Sequence, residues 1–112
     1  MGGAIDRAHL AAQTFDDEPL ARELLELFAG QCARLGPLAA DPGAPREVRR
    51  DAAHTLRGAA LGVGARRVAT CAAALEAVLA GADERDIDEA AVAAQAAALA
   101  AAAEEARVEA SA

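Results

Sequence analysis

The chain has no lysine, tryptophan or tyrosine, and its single serine, Ser111, stands in the terminal tail. Without lysine there is no amine for a Schiff base and no cation for a P-loop, and a tail serine makes no hydrolase nucleophile. Phe15 and Phe28 are the only aromatic residues, too few for a nucleobase-stacking platform. Positive charge is also short: the net charge of −7 opposes general attraction to nucleic acid or to an anionic membrane. Cys32, Cys71, His9 and His54 could supply metal ligands, but no pair has the close spacing of a zinc site, and both thiols read as small core residues. No positively charged start precedes an apolar stretch. The alanine-rich run from Ala90 to Ala103 is only weakly hydrophobic and is interrupted by Gln95. Cytoplasmic residence, with no membrane span, is the expectation.

What the 112 residues do have is alanine, about a third of the chain, so helix propensity is high. A chain of this length buries one modest core, which predicts a single domain over 1–112. Three aspartates are bracketed by apolar residues five positions apart: Ile5-Asp6 with Leu10, Phe15-Asp16 with Leu20, and Ile87-Asp88 with Val92. Each reads as an N-cap inside a hydrophobic staple. Helices are expected over about 6–13, 17–38, 45–61, 65–80 and 88–108. The second carries a stripe of Leu20, Leu24, Leu27, Phe28, Leu35 and Leu38, predicted to face the core. Gln31 lies within that stripe, and burying an amide without a partner costs about 1 to 3 kcal/mol. It therefore meets water at a groove or has a partner. Asp41 to Pro45, Gly62-Val63-Gly64 and Gly81 to Arg85 read as turns. The last helix has few large side chains, Val92, Leu99 and Val108, and is expected to pack through alanine and to fray beyond Glu104.

One place suggests a chemistry. On the third helix Val48, Ala52, Leu56, Ala59 and Val63 fall on one side, and His54 falls nearly opposite, so the imidazole is expected to face solvent. Arg50 precedes it by about one turn, Arg57 follows it by almost one, and Gly58 stands directly above it. Glycine costs a helix about 1 kcal/mol relative to alanine, which suggests that something approaches closely there. Leu61 shares the exposed face and offers an apolar contact to that visitor. Arg50 and Arg57 disfavour a charged imidazole while Asp51 favours one, and their balance is open. Between Arg46 and Arg67, six arginines face only Glu47 and Asp51, a segment charge of about +4 against about −11 elsewhere. An exposed imidazole with room for a bulky partner and nearby positive charge suits the acceptance of a phosphoryl group from a carboxyl phosphate. The plain alternative makes the arginines an ordinary solvated helix surface.

The residues Ala53-His54-Thr55-Leu56-Arg57-Gly58-Ala59-Ala60, then Val63-Gly64-Ala65, Cys71 and Leu75-Glu76 closely resemble the histidine-containing phosphotransfer (HPt) domain of multistep phosphorelays. Phe28 matches a phenylalanine common in that pattern. The resemblance implies an all-α fold, an up-and-down antiparallel four-helix bundle with a short additional N-terminal helix. It implies that His54 is the phosphoacceptor, that Arg57 stabilises the phosphoryl group where the family most often has lysine, and that Gly58 gives access. Arg50 and Gln31 are candidates for a supporting role, and Leu61 and Asp51 for partner contact. The expected partners are response-regulator receiver domains and a hybrid histidine kinase, with the chain itself a monomer. No cofactor is expected in this chain; Mg2+ would belong to the receiver. No kinase or nucleotide-binding domain is implied, so the chain is expected to be a phosphotransfer intermediate and not an enzyme. The alternative is a non-phosphorylated helical bundle that binds a receiver or another helix. The Met1 start and the tail ending at Ala112 fit a complete small protein, and equally one domain cut from a larger hybrid kinase.

Overall fold

The computed structural model describes residues 3–81 and 83–111, with the side chains of 110 and 111 outside the description. Helices α1 (Arg7–Gln13), α2 (Glu18–Ala40), α3 (Arg46–Val63), α4 (Arg66–Leu79) and α5 (Glu89–Ser111) account for most of them. Each of α2 to α5 packs against two of the others, in the ring α2, α3, α4, α5 and back to α2. The connections are short, so successive helices run antiparallel in an up-and-down four-helix bundle. Short α1 lies against α2 and α3 at one end. Of the turn expected from Gly81 to Arg85, Ala82 lies outside the described residues, and Glu84–Asp86 forms one turn of 3-10 helix.

Small side chains let the helices approach. Ala39, Ala53, Ala60 and Ala72 are fully buried between Leu56, Leu75, Leu79, Val92 and Leu99. A leucine buried this completely contributes about 2 kcal/mol, and the alanines allow each helix to contact several such residues. Gly64 ends α3 in the left-handed region, at φ 78, and the Ala65 N–H donates back to Ala60 O at 2.8 Å. Here glycine is required twice over. A Cβ at Gly64 would stand 3.0 Å from the Asp6 backbone oxygen, and the Asp6 N–H donates to Gly64 O at 2.8 Å. That contact seats α1 across the end of α3. The segment leading into α1 is tied to α5, where Glu109 accepts from the Ile5 N–H at 3.0 Å.

Two of the three aspartate caps form as expected: Asp6 accepts from the His9 N–H and Asp88 from the Ala91 N–H, both at 3.0 Å. The middle one does not. Asp17 caps α2 through the Leu20 N–H, while Phe15 and Asp16 both adopt positive φ and Phe15 is 89% exposed, so the expected Phe15 staple is absent. The core stripe of α2 is also rotated. Leu25, Phe28, Cys32, Gly36 and Ala39 are buried, whereas Leu20 and Leu27 are exposed and Leu24, Leu35 and Leu38 only flank the core. Leu99 explains the shift, since its Cδ2 would lie 3.8 Å from a Cβ at Gly36 and so occupies the space that the small residue leaves.

On α3 the rotation recurs. Val48 is exposed, and Arg49, grouped in sequence with the solvated arginines, is 1% exposed. Its Nε donates to Ala39 O at 3.0 Å, a carbonyl in the last turn of α2 with no helical N–H to accept from, and its two Nη atoms grip Glu89 at 2.8 and 2.7 Å. Both C-terminal boundaries run longer than expected. The helix α3 continues through Gly62 and Val63, and α5 reaches Ser111. Val108 faces solvent.

Candidate phosphoacceptor site

His54 projects from the middle of α3 with its side chain 62% exposed. The buried positions Ala52, Ala53, Leu56 and Ala60 fix the rotation of the helix and so the direction of the imidazole. Gly58, one turn later, is exposed, and a Cβ built there meets nothing within 4 Å. The space above the imidazole is therefore open to solvent. Leu61, Asp51 and Arg50 are exposed on the same helix, as expected.

The other side of the imidazole is held. Glu76, from the neighbouring helix α4, places Oε1 2.9 Å from His54 Nδ1 and Oε2 3.2 Å from Arg57 Nε. A carboxylate has only acceptors, so this contact requires a proton on Nδ1 and leaves the lone pair of the neutral ring on Nε2. Arg57 Nη2 also lies 3.2 Å from Nδ1, and with that nitrogen protonated the guanidinium has no lone pair there to meet; its partner is Glu76. Histidine, arginine and glutamate thus form a compact triad across α3 and α4. Glu76 is the residue to which sequence reasoning gave no role. Its signal lay in the motif itself, since Leu75 is fully buried and the adjacent Glu76 is turned toward α3.

The remaining candidates do not join the triad. Arg50 makes no hydrogen bond or ion pair among the described residues, although it stands about one helical turn before His54. Gln31 is half-buried and lines an open groove between α2 and α3 with Leu24, Leu27, Ala59 and Gly62, which accounts for an amide on an apolar stripe. His9 is half-buried as well. Cys32 lies deep enough that burial pushes its thiol up to about 11, far from a reactive thiolate. Among the described residues no group of three or more His, Cys, Asp or Glu side chains could hold a metal ion.

The Hpt domain family model matches residues 20–108, from the first turn of α2 to near the end of α5. The chain belongs to the Hpt domain family. No curated protein and no solved structure gives a match. Hpt domains are phosphotransfer modules of two-component relays that work with receiver domains and histidine kinases. In this Hpt domain the match covers nearly all of the four-helix bundle and leaves α1 outside it. No described helix is long and apolar enough to cross a membrane. The basic segment seen in sequence is largely paired in the Hpt fold: Arg49 with Glu89, Arg57 with Glu76, Arg66 with Asp6 and Arg67 with Glu105. The face around His54 is consequently less positive than the sequence arithmetic implied.

Proposed function

We propose that His54 accepts a phosphoryl group from the aspartyl phosphate of a receiver domain and returns it to the aspartate of another. The observation that carries this reading is the held imidazole: Nδ1 faces Glu76 at 2.9 Å, while Nε2 is the free nitrogen of an exposed ring beside the open surface of Gly58. In the forward step the Nε2 lone pair attacks phosphorus, the bond from phosphorus to the aspartyl oxygen breaks, and the receiver keeps the carboxylate. The proton on Nδ1 stays in place, so the phosphorylated ring is a cation and Glu76 balances its charge. In the return step a receiver carboxylate attacks phosphorus and the bond to Nε2 breaks. The chain supplies position and charge, with no bound nucleotide in the cycle.

Arg57 has the second role. Held by Glu76 at 3.2 Å before transfer, its guanidinium is one side-chain rotation away from the phosphoryl oxygens and can pair with two of them. Arg50, exposed and without a partner among the described residues, is the other cation on the same face of α3. The Mg2+ that neutralises the aspartyl phosphate belongs to the receiver, and a hybrid histidine kinase is the source of the phosphoryl group. Leu61 and the groove beside Gln31 offer apolar contact to the docked receiver, and the exposed Asp51 on the same helix offers a polar one.

The test is transfer from a panel of phosphorylated receiver domains to the wild type and to His54→Gln, followed by acid and base treatment of the product. Acid-labile, base-stable label on the wild type that is lost in the variant is expected. Receiver binding without any label would replace this reading with that of an unphosphorylated interaction module.

A further inference from the structure

Helix α2 keeps its larger apolar stripe outside the core. Leu27 is 61% exposed and Leu20 37%, with the half-buried Leu24 between them. At about 100° per residue, Leu20, Glu23, Leu24, Gln31 and Arg34 all lie within about 60° of Leu27, on a face about 21 Å long. Gly30 borders that face; it is exposed, and a Cβ built there meets nothing within 4 Å. Glycine weakens the middle of a helix, and no packing within the chain asks for it here. Leucines at the centre, a gap beside them and charges on the flank are what another helix would cover.

The charges say which helix. Glu23 and Arg34 are exposed, and neither makes a hydrogen bond or ion pair among the described residues. About 16 Å of helix separates them, so they do not meet within one chain. A second copy of α2 laid antiparallel, with a two-fold axis beside Leu27, sets each residue before Leu27 level with one equally far after it. Arg34 then stands level with Leu20 of the second copy and about 4.5 Å along the axis from its Glu23. The two-fold places both on the same flank of the contact, so the ion pair forms twice, once in each direction. Gly30 leaves room beside Glu23 of the second copy for the guanidinium, and Leu27 meets its own counterpart at the centre. A parallel pairing would instead oppose Arg34 to Arg34 and Glu23 to Glu23.

We infer that the exposed face of α2 is a self-association surface, on which two copies of the chain pair antiparallel through Leu20, Leu24 and Leu27 and through two ion pairs between Arg34 and Glu23. One helix face is smaller than a standard interface of about 800 Å² per partner, exposed ion pairs add little, and each copy carries a net charge of −7, so the pair is weak, with Kd on the order of 100 µM. Pairing covers Leu24 and Leu27, which also line the groove between α2 and α3, and so partly closes that groove. The inference is independent of phosphotransfer at His54.

The test is sedimentation equilibrium of the full chain from about 10 µM to about 1 mM, as wild type, Leu27→Glu, Arg34→Glu and the charge swap Arg34→Glu with Glu23→Arg. The substituted side chains are all exposed, so each variant should melt close to the wild-type temperature. The wild type should dimerise. Leu27→Glu should weaken the dimer by more than about tenfold, and Arg34→Glu, which turns two attractions into two repulsions, by about tenfold. The charge swap should restore Kd to within about threefold of the wild type. A wild type that stays monomeric to about 1 mM overturns the inference. A dimer indifferent to Leu27→Glu forms through another face and also overturns it, and failure of the swap to rescue Arg34→Glu overturns the antiparallel pairing.

Discussion

Replacing Glu76 by glutamine removes one negative charge 2.9 Å from His54 Nδ1 and keeps the shape of the side chain. Glutamine still accepts the Nδ1 proton, so the variant isolates charge from orientation. A unit charge pair about 4 Å apart is worth about 4 kcal/mol at an effective dielectric of 20 and about 1 kcal/mol in bulk water. The Glu76 side chain is 19% exposed and that of His54 62%, which places the pair between those limits. With about half of the ring's charge developed in the transition state, Glu76→Gln should lose about 0.5 to 2 kcal/mol of stabilisation, a fall of about 2- to 30-fold in transfer rate. The equilibrium feels the whole charge, so the phosphoryl group should shift back toward the receiver by about fivefold or more. Rapid-quench mixing of radiolabelled receiver with each variant gives both quantities. Arg57→Gln and the double variant complete a cycle, and coupling between the two positions is expected because Arg57 shares the same carboxylate. If Glu76→Gln transfers at the wild-type rate to the wild-type equilibrium, the charge-balance role of Glu76 is refuted.

Further outcomes are expected at other positions. Gly58→Gln should melt at or slightly above the wild-type temperature, since a Cβ there meets nothing within 4 Å and the helix gains up to about 1 kcal/mol of propensity, yet transfer from receivers should fall at least about tenfold. Equal transfer rates would remove Gly58 from the docking surface. Glu89→Ala, which strands the buried Arg49 guanidinium, should cost about 2 kcal/mol in urea unfolding, less than for a fully buried pair because Glu89 is partly exposed; Arg49→Met should cost less, having no charge left to strand. Arg49 also holds the Glu89 carboxyl below its ordinary value, so its stabilisation is present above pH about 4.5 and is lost as pH falls through the depressed value. The stability gap between wild type and Glu89→Gln should close in that acid range. Gly64→Ala should destabilise the chain by about 2 kcal/mol, and hydrogen exchange in α1 should rise, because both the left-handed backbone and the 3.0 Å approach of Asp6 exclude a methyl group.

Much of this architecture was legible because it depends on local chemistry. Asp6 and Asp88 sit where an aspartate can satisfy free N–H groups, Gly64 where only glycine tolerates the turn, and His54 opposite an apolar helix face. What failed was the choice between adjacent faces. Helix α2 has two apolar stripes of the same period, and the one with more leucines, Leu20, Leu24 and Leu27, looks like the core. The buried stripe contains Cys32, Gly36 and Ala39 instead, because Leu99 from α5 needs the room they leave. No periodicity within α2 can report a side chain that arrives from another helix. Arg49 escaped for a related reason, since its burial is stabilised by a carbonyl of α2 and a carboxylate of α5, one of them 40 positions away. Glu76 belongs to the same class, 22 positions from the histidine it holds.

The charge segregation then takes a different meaning. Six arginines between Arg46 and Arg67 suggested a basic surface offered to an acidic partner. In the fold, Arg49 ties α3 to α5, Arg57 ties α3 to α4, Arg66 ties α4 to the cap of α1, and Arg67 ties α4 to α5. The acidic remainder of the chain is thus the partner of much of its basic segment, and the exposed pairs among these each add little stability but fix which helices neighbour one another. Arg50 and the transferable Arg57 are the positive groups left close to His54. A receiver docked as proposed would meet the exposed Leu61, an open glycine surface and two cations whose contribution is local to the phosphoryl group. If His54 and Arg57 act as proposed, phosphotransfer should keep most of its apparent affinity for the receiver as salt is raised, with the loss of rate concentrated in the chemical step assigned to Arg57.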